Sequence, residues 1–268
     1  MSVATHFGGA RLALAGVGKR FQARDRVVNA LEATTLTIEN GEFVTLVGPS
    51  GCGKSTLLNI ISGLTFASEG SVQLDGTTIK GVNRRVGYIT QQDNLFPWRT
   101  LRDNVALPLE LAGMPTRERR EKADGWLSRV GLDGFGDAFP HELSGGMRQR
   151  GNIVRTLIYE PSVILMDEPF GPLDAQTRIV LQDMLLSIWD SARSTIIFVT
   201  HDLTEAIALA DRVLLMSARP GRIIRADRIN IPRPRNIFQI HEDPEFRRLY
   251  NEIWNELRLQ VRNVDALH

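Results

Sequence analysis

From Leu12 to Val47 apolar and polar residues alternate, as at Leu12 and Leu14 and again at Leu36 and Ile38, and Asn40-Gly41 supplies a turn. That is the two-residue period of half-buried strands. After the turn, Phe43-Val44-Thr45-Leu46-Val47 is an apolar run of strand length, and Val163-Ile164-Leu165-Met166, Thr195-Ile196-Ile197-Phe198-Val199 and Val213-Leu214-Leu215-Met216 repeat the pattern between helical segments. Near-continuous apolarity over so short a length predicts strands buried on both faces, hence a largely parallel sheet. Ser71 to Ile79 has Asp75-Gly76 at its centre, which suits a type I′ turn and predicts a hairpin. With the alternating N-terminal strands it makes an antiparallel β flank.

Between Leu101 and Ile158 the composition turns helical, and Arg117-Glu118-Arg119-Arg120-Glu121-Lys122 carries both charge signs, as a solvated helix face does. Asp243-Pro244-Glu245 offers an N-cap, a proline at the first helical position and an acidic first turn. It opens a last helix with Phe246, Leu249, Ile253, Leu257 and Val261 on one face, a packing surface. The expected fold class is α/β: a core with a largely parallel sheet, an antiparallel β flank and a helical subdomain.

Bulk properties narrow the chemistry. The 268 residues, 43% hydrophobic and 24% charged, suffice for one large α/β domain or two small ones. A net charge of +1 gives no case for nucleic-acid binding, which calls for a basic face or stripe. The single cysteine, Cys52, excludes an intrachain disulfide framework and fits a reducing compartment. No run approaches 18 consecutive apolar residues and the start lacks a secretory signal, so the expectation is a cytosolic chain unless a partner carries it to a membrane.

The sharpest chemical signal is Gly48-Pro49-Ser50-Gly51-Cys52-Gly53-Lys54-Ser55-Thr56, between a strand-like run and the helix-compatible Thr56-Leu57-Leu58-Asn59-Ile60-Ile61. A glycine-rich loop of this length lets successive backbone N–H groups surround phosphate oxygens at a helix N-terminus, where the dipole favours negative charge. Lys54 would reach the β- and γ-phosphates, the Ser55 hydroxyl would sit on Mg²⁺, and Thr56 is available to an α-phosphate oxygen. This predicts a nucleoside triphosphate site with a P-loop NTPase core. Cys52 lies beside a helix N-terminus and Lys54, which predicts a favoured thiolate and nucleotide binding that a bulky thiol adduct blocks.

Kinases, GTPases, helicases and transport ATPases share such a loop, and the remaining motifs choose among them. Leu143-Ser144-Gly145-Gly146-Met147-Arg148-Gln149-Arg150 closely resembles the signature of the ATP-binding cassette (ABC) family, and it precedes an apolar strand ending in Asp167-Glu168. Gln91 in Tyr88-Ile89-Thr90-Gln91, the segment Pro169-Phe170-Gly171-Pro172-Leu173-Asp174, and His201 in Val199-Thr200-His201-Asp202 complete that family's order. The resemblance runs from about Phe21 to Gly221.

It implies a role for each position. Asp167 would hold Mg²⁺ through water, Glu168 would act as general base on the attacking water, and Gln91 would reach the metal and that water. His201 would hydrogen-bond the γ-phosphate. Ser144, Gly145 and Gly146 would form a second anion site facing the phosphate loop of another copy, with Asp174 at the dimer seam and Phe21 stacked on adenine. Three departures stand out: Gly151 and Asn152 predict a locally soft signature helix, Thr90 replaces a common aromatic, and Pro172 replaces a common alanine.

Within the family, Leu95-Phe96-Pro97-Trp98, Pro169-Phe170-Gly171 and Met216-Ser217-Ala218-Arg219-Pro220-Gly221-Arg222 resemble the importer branch for nitrate, aliphatic sulfonates and taurine. The implied protein is an ATPase that dimerises around two Mg·ATP and powers import of a small solute. Its partners would be transmembrane permease subunits, a second ABC ATPase subunit, identical or paralogous, and a solute-binding protein. It would lie at the cytoplasmic face of the inner membrane, with residues 92–101 forming a groove for the permease. One nucleotide-binding domain over residues 1–268 is expected: 10–91 and 161–240 as catalytic core, 92–160 as helical subdomain with the signature, and 241–268 as a C-terminal helix. The alternatives are a soluble ABC ATPase acting in iron–sulfur assembly or on nucleic acid, and a nucleotide sensor without turnover. Intact Gln91, Asp167, Glu168 and His201 argue against the sensor.

Overall fold

A six-stranded sheet carries the fold, in the order β10-β9-β3-β8-β7-β6. Its members are β3 (Phe43–Val47), β6 (Val86–Ile89), β7 (Val163–Asp167), β8 (Thr195–Val199), β9 (Arg212–Met216) and β10 (Ile223–Arg228). All pairings are parallel except β10 with β9, as the apolar runs predict. The computed structural model describes residues 9, 11–22 and 26–265, with side chains to residue 261.

Alternation explains why these strands read as continuous apolar runs. Phe43, Ile164, Met166, Ile196 and Phe198 point into one core, under the helices. Val44, Leu46, Val163, Leu165, Ile197 and Val199 point into the other. Side chains leave a strand on opposite faces in turn, so a sheet covered on both sides needs apolar residues at every position. In the first core Phe43 meets Trp189 edge-on, with ring centroids 5.4 Å apart.

The second core is closed by α1 (Lys54–Ile61) and an antiparallel sheet of β1 (Leu12–Gln22), β2 (Val27–Ile38), β4 (Glu69–Leu74) and β5 (Thr77–Thr78), ordered β2-β1-β4-β5. Leu12, Leu14, Val72 and Leu74 cover Leu57, Leu58 and Ile61 there. The predicted hairpin joins β4 to β5, with Asp75 at φ 48° and Gly76 at φ 77°, the two positive values that a type I′ turn demands.

On the first core sit α2 (Leu101–Leu111), α3 (Thr116–Arg129), α4 (Gly145–Leu157), α5 (Ala175–Ala192), α6 (Leu203–Leu209) and α7 (Pro244–Asp265). Arg117 pairs with Glu121 on the exposed face of α3. At the start of α7, Asp243 Oδ1 accepts from the Glu245 and Phe246 N–H groups. Its apolar stripe is buried through Phe246, Leu249, Ile253 and Leu257, but Val261 is 42% exposed, so the packing face ends one turn earlier than its spacing predicts.

The two residues expected to soften α4 do not interrupt it. The helix is unbroken, and a Cβ on Gly151 would fall 2.5 Å from Leu101 Cδ1, so the glycine lets α2 approach closely. Asn152 accepts a hydrogen bond from Arg155, whose guanidinium also reaches the Asp93 and Asn94 carbonyls. Gly151 thus serves packing and Asn152 a hydrogen bond to Arg155.

Candidate nucleotide site

Parallel strands bring their C-terminal ends to one edge, and there β3 ends in the phosphate loop, β7 in Asp167-Glu168 and β8 in Thr200-His201. Because β8 lies between β3 and β7, residues far apart in the chain share a single cleft. The loop itself turns on Gly53, at φ 107°, which caps α1 with no side-chain hydrogen bond of its own. The first N–H groups of α1 are thus free for an anion. Lys54 is buried, and its Nζ donates to the carbonyls of Gly48 at 2.8 Å and Pro49 at 3.0 Å.

A cleft of about 270 Å³ opens over this loop, lined by Phe21, Ser50, Gly51, Lys54, Ser55 and Thr56, with Glu168 and Arg219 at its sides. Phe21 presents a half-exposed ring with Lys19 Nζ 4.9 Å from its centroid. Asp167 stands half-buried at the end of β7. Burial pushes its carboxyl up from the ordinary range, and the Ser55 hydrogen bond opposes this while the Glu168 charge adds to it. Tyr88 donates to Asp167 Oδ2 at 3.4 Å, and burial raises its phenol, with the Asp167 charge adding to the rise.

Glu168 adopts φ 47°, a left-handed conformation uncommon for a side chain of its size and concentrated at functional sites. Its N–H bonds to the Val199 carbonyl, and its Oε2 lies 3.1 Å from His201 Nδ1. His201 keeps 61% of its side chain exposed. Gln91 lies across the post-carboxylate loop, its Nε2 3.3 Å from where a Cβ on Gly171 would be.

The signature residues lie elsewhere. Ser144 caps α4, its Oγ accepting from Met147 N–H at 3.3 Å, and Gly145 and Gly146 form the first turn. Asp174 caps α5 with Oδ1 on the Gln176 and Thr177 N–H groups, and the Thr177 bonds hold its carboxyl below the ordinary range. Gln91, Gly145, Arg148, Gln149, Pro172 and Leu173 line a second cleft of about 410 Å³. Gln149 is 4% exposed and its Nε2 has no hydrogen-bond partner among the described residues. Phe21, the phosphate loop and Glu168 therefore line one space, with Asp167 held beside it through Ser55 and His201 through Glu168, while Gly145 of the signature and Gln91 line another.

Cys52 departs from expectation. It is 1% exposed, and burial pushes its thiol up, outweighing the opposing Lys54 charge and the backbone hydrogen bonds. The helix terminus and the lysine are both present, but desolvation wins. Arg219 was not identified as a site residue from the sequence. Its Nε and Nη2 donate to the Gly51 carbonyl at 3.2 and 3.0 Å, fastening the segment after β9 to the phosphate loop. The only signal in the sequence was the Met216 to Arg222 pattern itself, which carries no information about what Arg219 touches.

The donor set suits a magnesium nucleotide. A buried ammonium and free helix N–H groups provide for polyphosphate, and the Ser55 hydroxyl beside the Asp167 carboxylate offers hard oxygen ligands. A phosphate loop, a strand-end carboxylate pair, a histidine and a capped signature helix on this sheet define an ATPase of the ATP-binding cassette type. Residues 31–171 match the ABC transporter family, and the chain belongs to it.

Similar proteins agree. An uncharacterised ABC transporter ATP-binding protein of Methanocaldococcus jannaschii is 47% identical over 94% of this chain and 92% of its own length. The aliphatic sulfonates import ATP-binding protein of Bacillus cereus is 47% identical over 82% of this chain and 87% of its own. Among solved structures, a dimeric ATP-binding cassette in a post-hydrolysis state, bound to ADP and Pi, superposes with a TM-score of 0.74 at 33% identity, covering 82% of this chain and all of that one. The chain is an ATP-hydrolysing enzyme that uses ATP with Mg²⁺. No helix among the described residues is long and apolar enough to cross a membrane.

Proposed function

We propose that this chain is the motor of an importer for a small solute of the sulfonate, taurine or nitrate kind, working at the cytoplasmic face of the inner membrane on a permease fed by a solute-binding protein. The observation that carries the reading is the 47% identity to an aliphatic sulfonates import ATP-binding protein across 82% of the chain. The exposed rings of Phe96 and Trp98, tilted against each other with centroids 5.1 Å apart and a few residues after Gln91, support a permease contact at residues 92–101.

In this reading two copies, or this chain and a paralogue, meet head to tail. The Ser144 to Gly146 helix start of one then closes on the γ-phosphate held by the other's phosphate loop, with Asp174 at the seam. That accounts for a signature that borders a separate cleft in the single chain. Lys54 and the Gly48 to Gly53 backbone bind and orient the phosphates, Thr56 adds a hydroxyl, and Phe21 stacks on adenine. When bound, Mg²⁺ neutralises charge on the β- and γ-phosphates, with Ser55, Asp167 and Gln91 to hold it. Glu168 takes a proton from the attacking water, and His201, within hydrogen-bond distance of Glu168, orients it and stabilises the γ-phosphoryl.

The test is recovery of the tagged chain from gently solubilised membranes, with ATPase activity assayed on the recovered complex for wild type and Glu168→Gln. A multi-span permease with activity lost in the variant is the expected result, followed by stimulation with alkanesulfonate, taurine or nitrate in proteoliposomes. Recovery of soluble cluster-assembly or nucleic-acid proteins alone would overturn the importer reading.

A further inference from the structure

Three charged side chains behind the site have no part in the chemistry above. Arg178 lies one turn into α5, just past Asp174. Its Nη2 donates to the Leu173 carbonyl at 3.2 Å and its Nη1 to Asp202 Oδ2 at 3.2 Å. Its Nε, without a hydrogen-bond partner among the described residues, lies 3.7 Å from Glu205 Oε1. One guanidinium thus spans the loop that precedes Asp174 and the loop that follows His201.

Glu205, on α6, is 5% exposed and fastens the same loop from the other side. Its Oε2 accepts from the Thr200 hydroxyl at 2.5 Å and its Oε1 from Gln182 Nε2 at 3.0 Å. The Asp202 N–H donates to Thr200 Oγ1 at 3.0 Å, while Asp202 Oδ1 caps α6 through the Thr204 and Glu205 N–H groups. Both neighbours of His201 are therefore fixed by one network, although the His201 ring itself is mostly exposed. Burial pushes the Glu205 carboxyl up, and the Thr200 hydrogen bond and the Arg178 charge hold it back. A carboxylate at that depth needs partners, and the Thr200 hydroxyl, the Gln182 amide and the nearby Arg178 guanidinium supply them.

We propose that Arg178, with Glu205 as its buried counter-charge, is a positioning residue that ties the Gly171 to Asp174 seam loop to the Thr200 to Asp202 loop, so that movement at Asp174 sets the place of His201. The proposal rests on the reading of His201 and Asp174 given above. A simple staple between α5 and α6 would use the same contacts, but it predicts a change in stability alone. A relay predicts that the effect of a change at Asp174 depends on Arg178.

The test is a double-mutant cycle on the purified full-length chain, reading kcat, KM for ATP and the thermal midpoint. Arg178→Lys keeps the charge and loses the planar fork. It is expected to lower kcat by about tenfold or more while KM changes by less than about twofold, because misplacement of a group acting on the γ-phosphoryl is felt in the chemical step. Asp174→Ala should lower kcat in the wild-type background and add less than about twofold in the Arg178→Lys background. The paired neutral variant Arg178→Gln with Glu205→Gln, which removes both members of the buried pair together, should show the same insensitivity to Asp174→Ala and covers the case in which a single variant fails to fold. Equal losses from Asp174→Ala in all backgrounds, no loss from it in wild type, or an unchanged kcat in Arg178→Lys would each overturn the relay. Full activity in His201→Ala would instead remove the reading of His201 beneath it, a result separable from additivity in the cycle.

Discussion

Cys52 sits in the middle of an electropositive loop, yet its thiol is held neutral because the loop folds around it. A Coulombic gain from Lys54 acts across a few ångströms, whereas loss of hydration acts on the whole side chain. The expected consequence is slow alkylation by iodoacetamide in the native protein at neutral pH and fast alkylation in denaturant, followed by intact mass. Native labelling as fast as a free thiol would contradict the burial. The sequence carried the identity of Cys52 but not the sign of its shift, since the sign depends on which surfaces close over it. Arg219 was hidden for a related reason: its partner is Gly51, 168 positions away, and nothing local to Pro220-Gly221 says so. Arg178 and Glu205 likewise read as ordinary helix charges until α5 and α6 are laid side by side.

Helices and strands differed in how much they disclosed. The runs at β3 and β8 are legible to the residue because a strand buried on both faces has no exposed, charged position to blur its limits, and its threonines, Thr45 and Thr195, are themselves buried. The phosphate loop is legible because its chemistry is local in sequence. The order in which strands lie side by side is not, and it is this order that sets His201 between the loop and the carboxylates. In α4, propensity misled: Gly151 looks like a weak point until Leu101 is seen against it. Gly151→Ala gains about 1 kcal/mol of helix propensity and forces Leu101 aside at a cost of about 1–3 kcal/mol, so a net loss of roughly 1 kcal/mol is expected from urea unfolding midpoints. A gain in stability would show that α2 yields freely.

Taken together, the chain's charges are nearly balanced, and Asp75, Glu110, Glu245 and Glu252 owe a lowered pKa chiefly to an arginine. The Arg99 guanidinium beside Glu110, with Arg119 adding, holds that carboxyl below the ordinary range, and Arg85 does the same for Asp75. Such groups bind fewer protons folded than unfolded above their native pKa, so the stability they lend is complete above the ordinary carboxylate range of about 4 and fades as pH falls through it. Asp167 and Glu205, pushed up by burial, work in the opposite sense, since the folded state holds their protons more tightly as pH falls. Urea midpoints should therefore drop from about pH 4.5 downward, and the drop should be shallower in Glu110→Gln, where one such carboxylate no longer titrates. An identical slope in that variant would mean that Glu110 gains nothing from its arginines. The two-sided central sheet also bears on which changes of length the gene can tolerate. The central strands β3, β7, β8 and β9 feed two cores by alternation, so an insertion or deletion of one codon just upstream of Gly48 would turn both sets of β3 side chains to the wrong side at once. Natural length variation should collect in the exposed turns, such as that around Gly113 between α2 and α3, and spare the segment that delivers the phosphate loop.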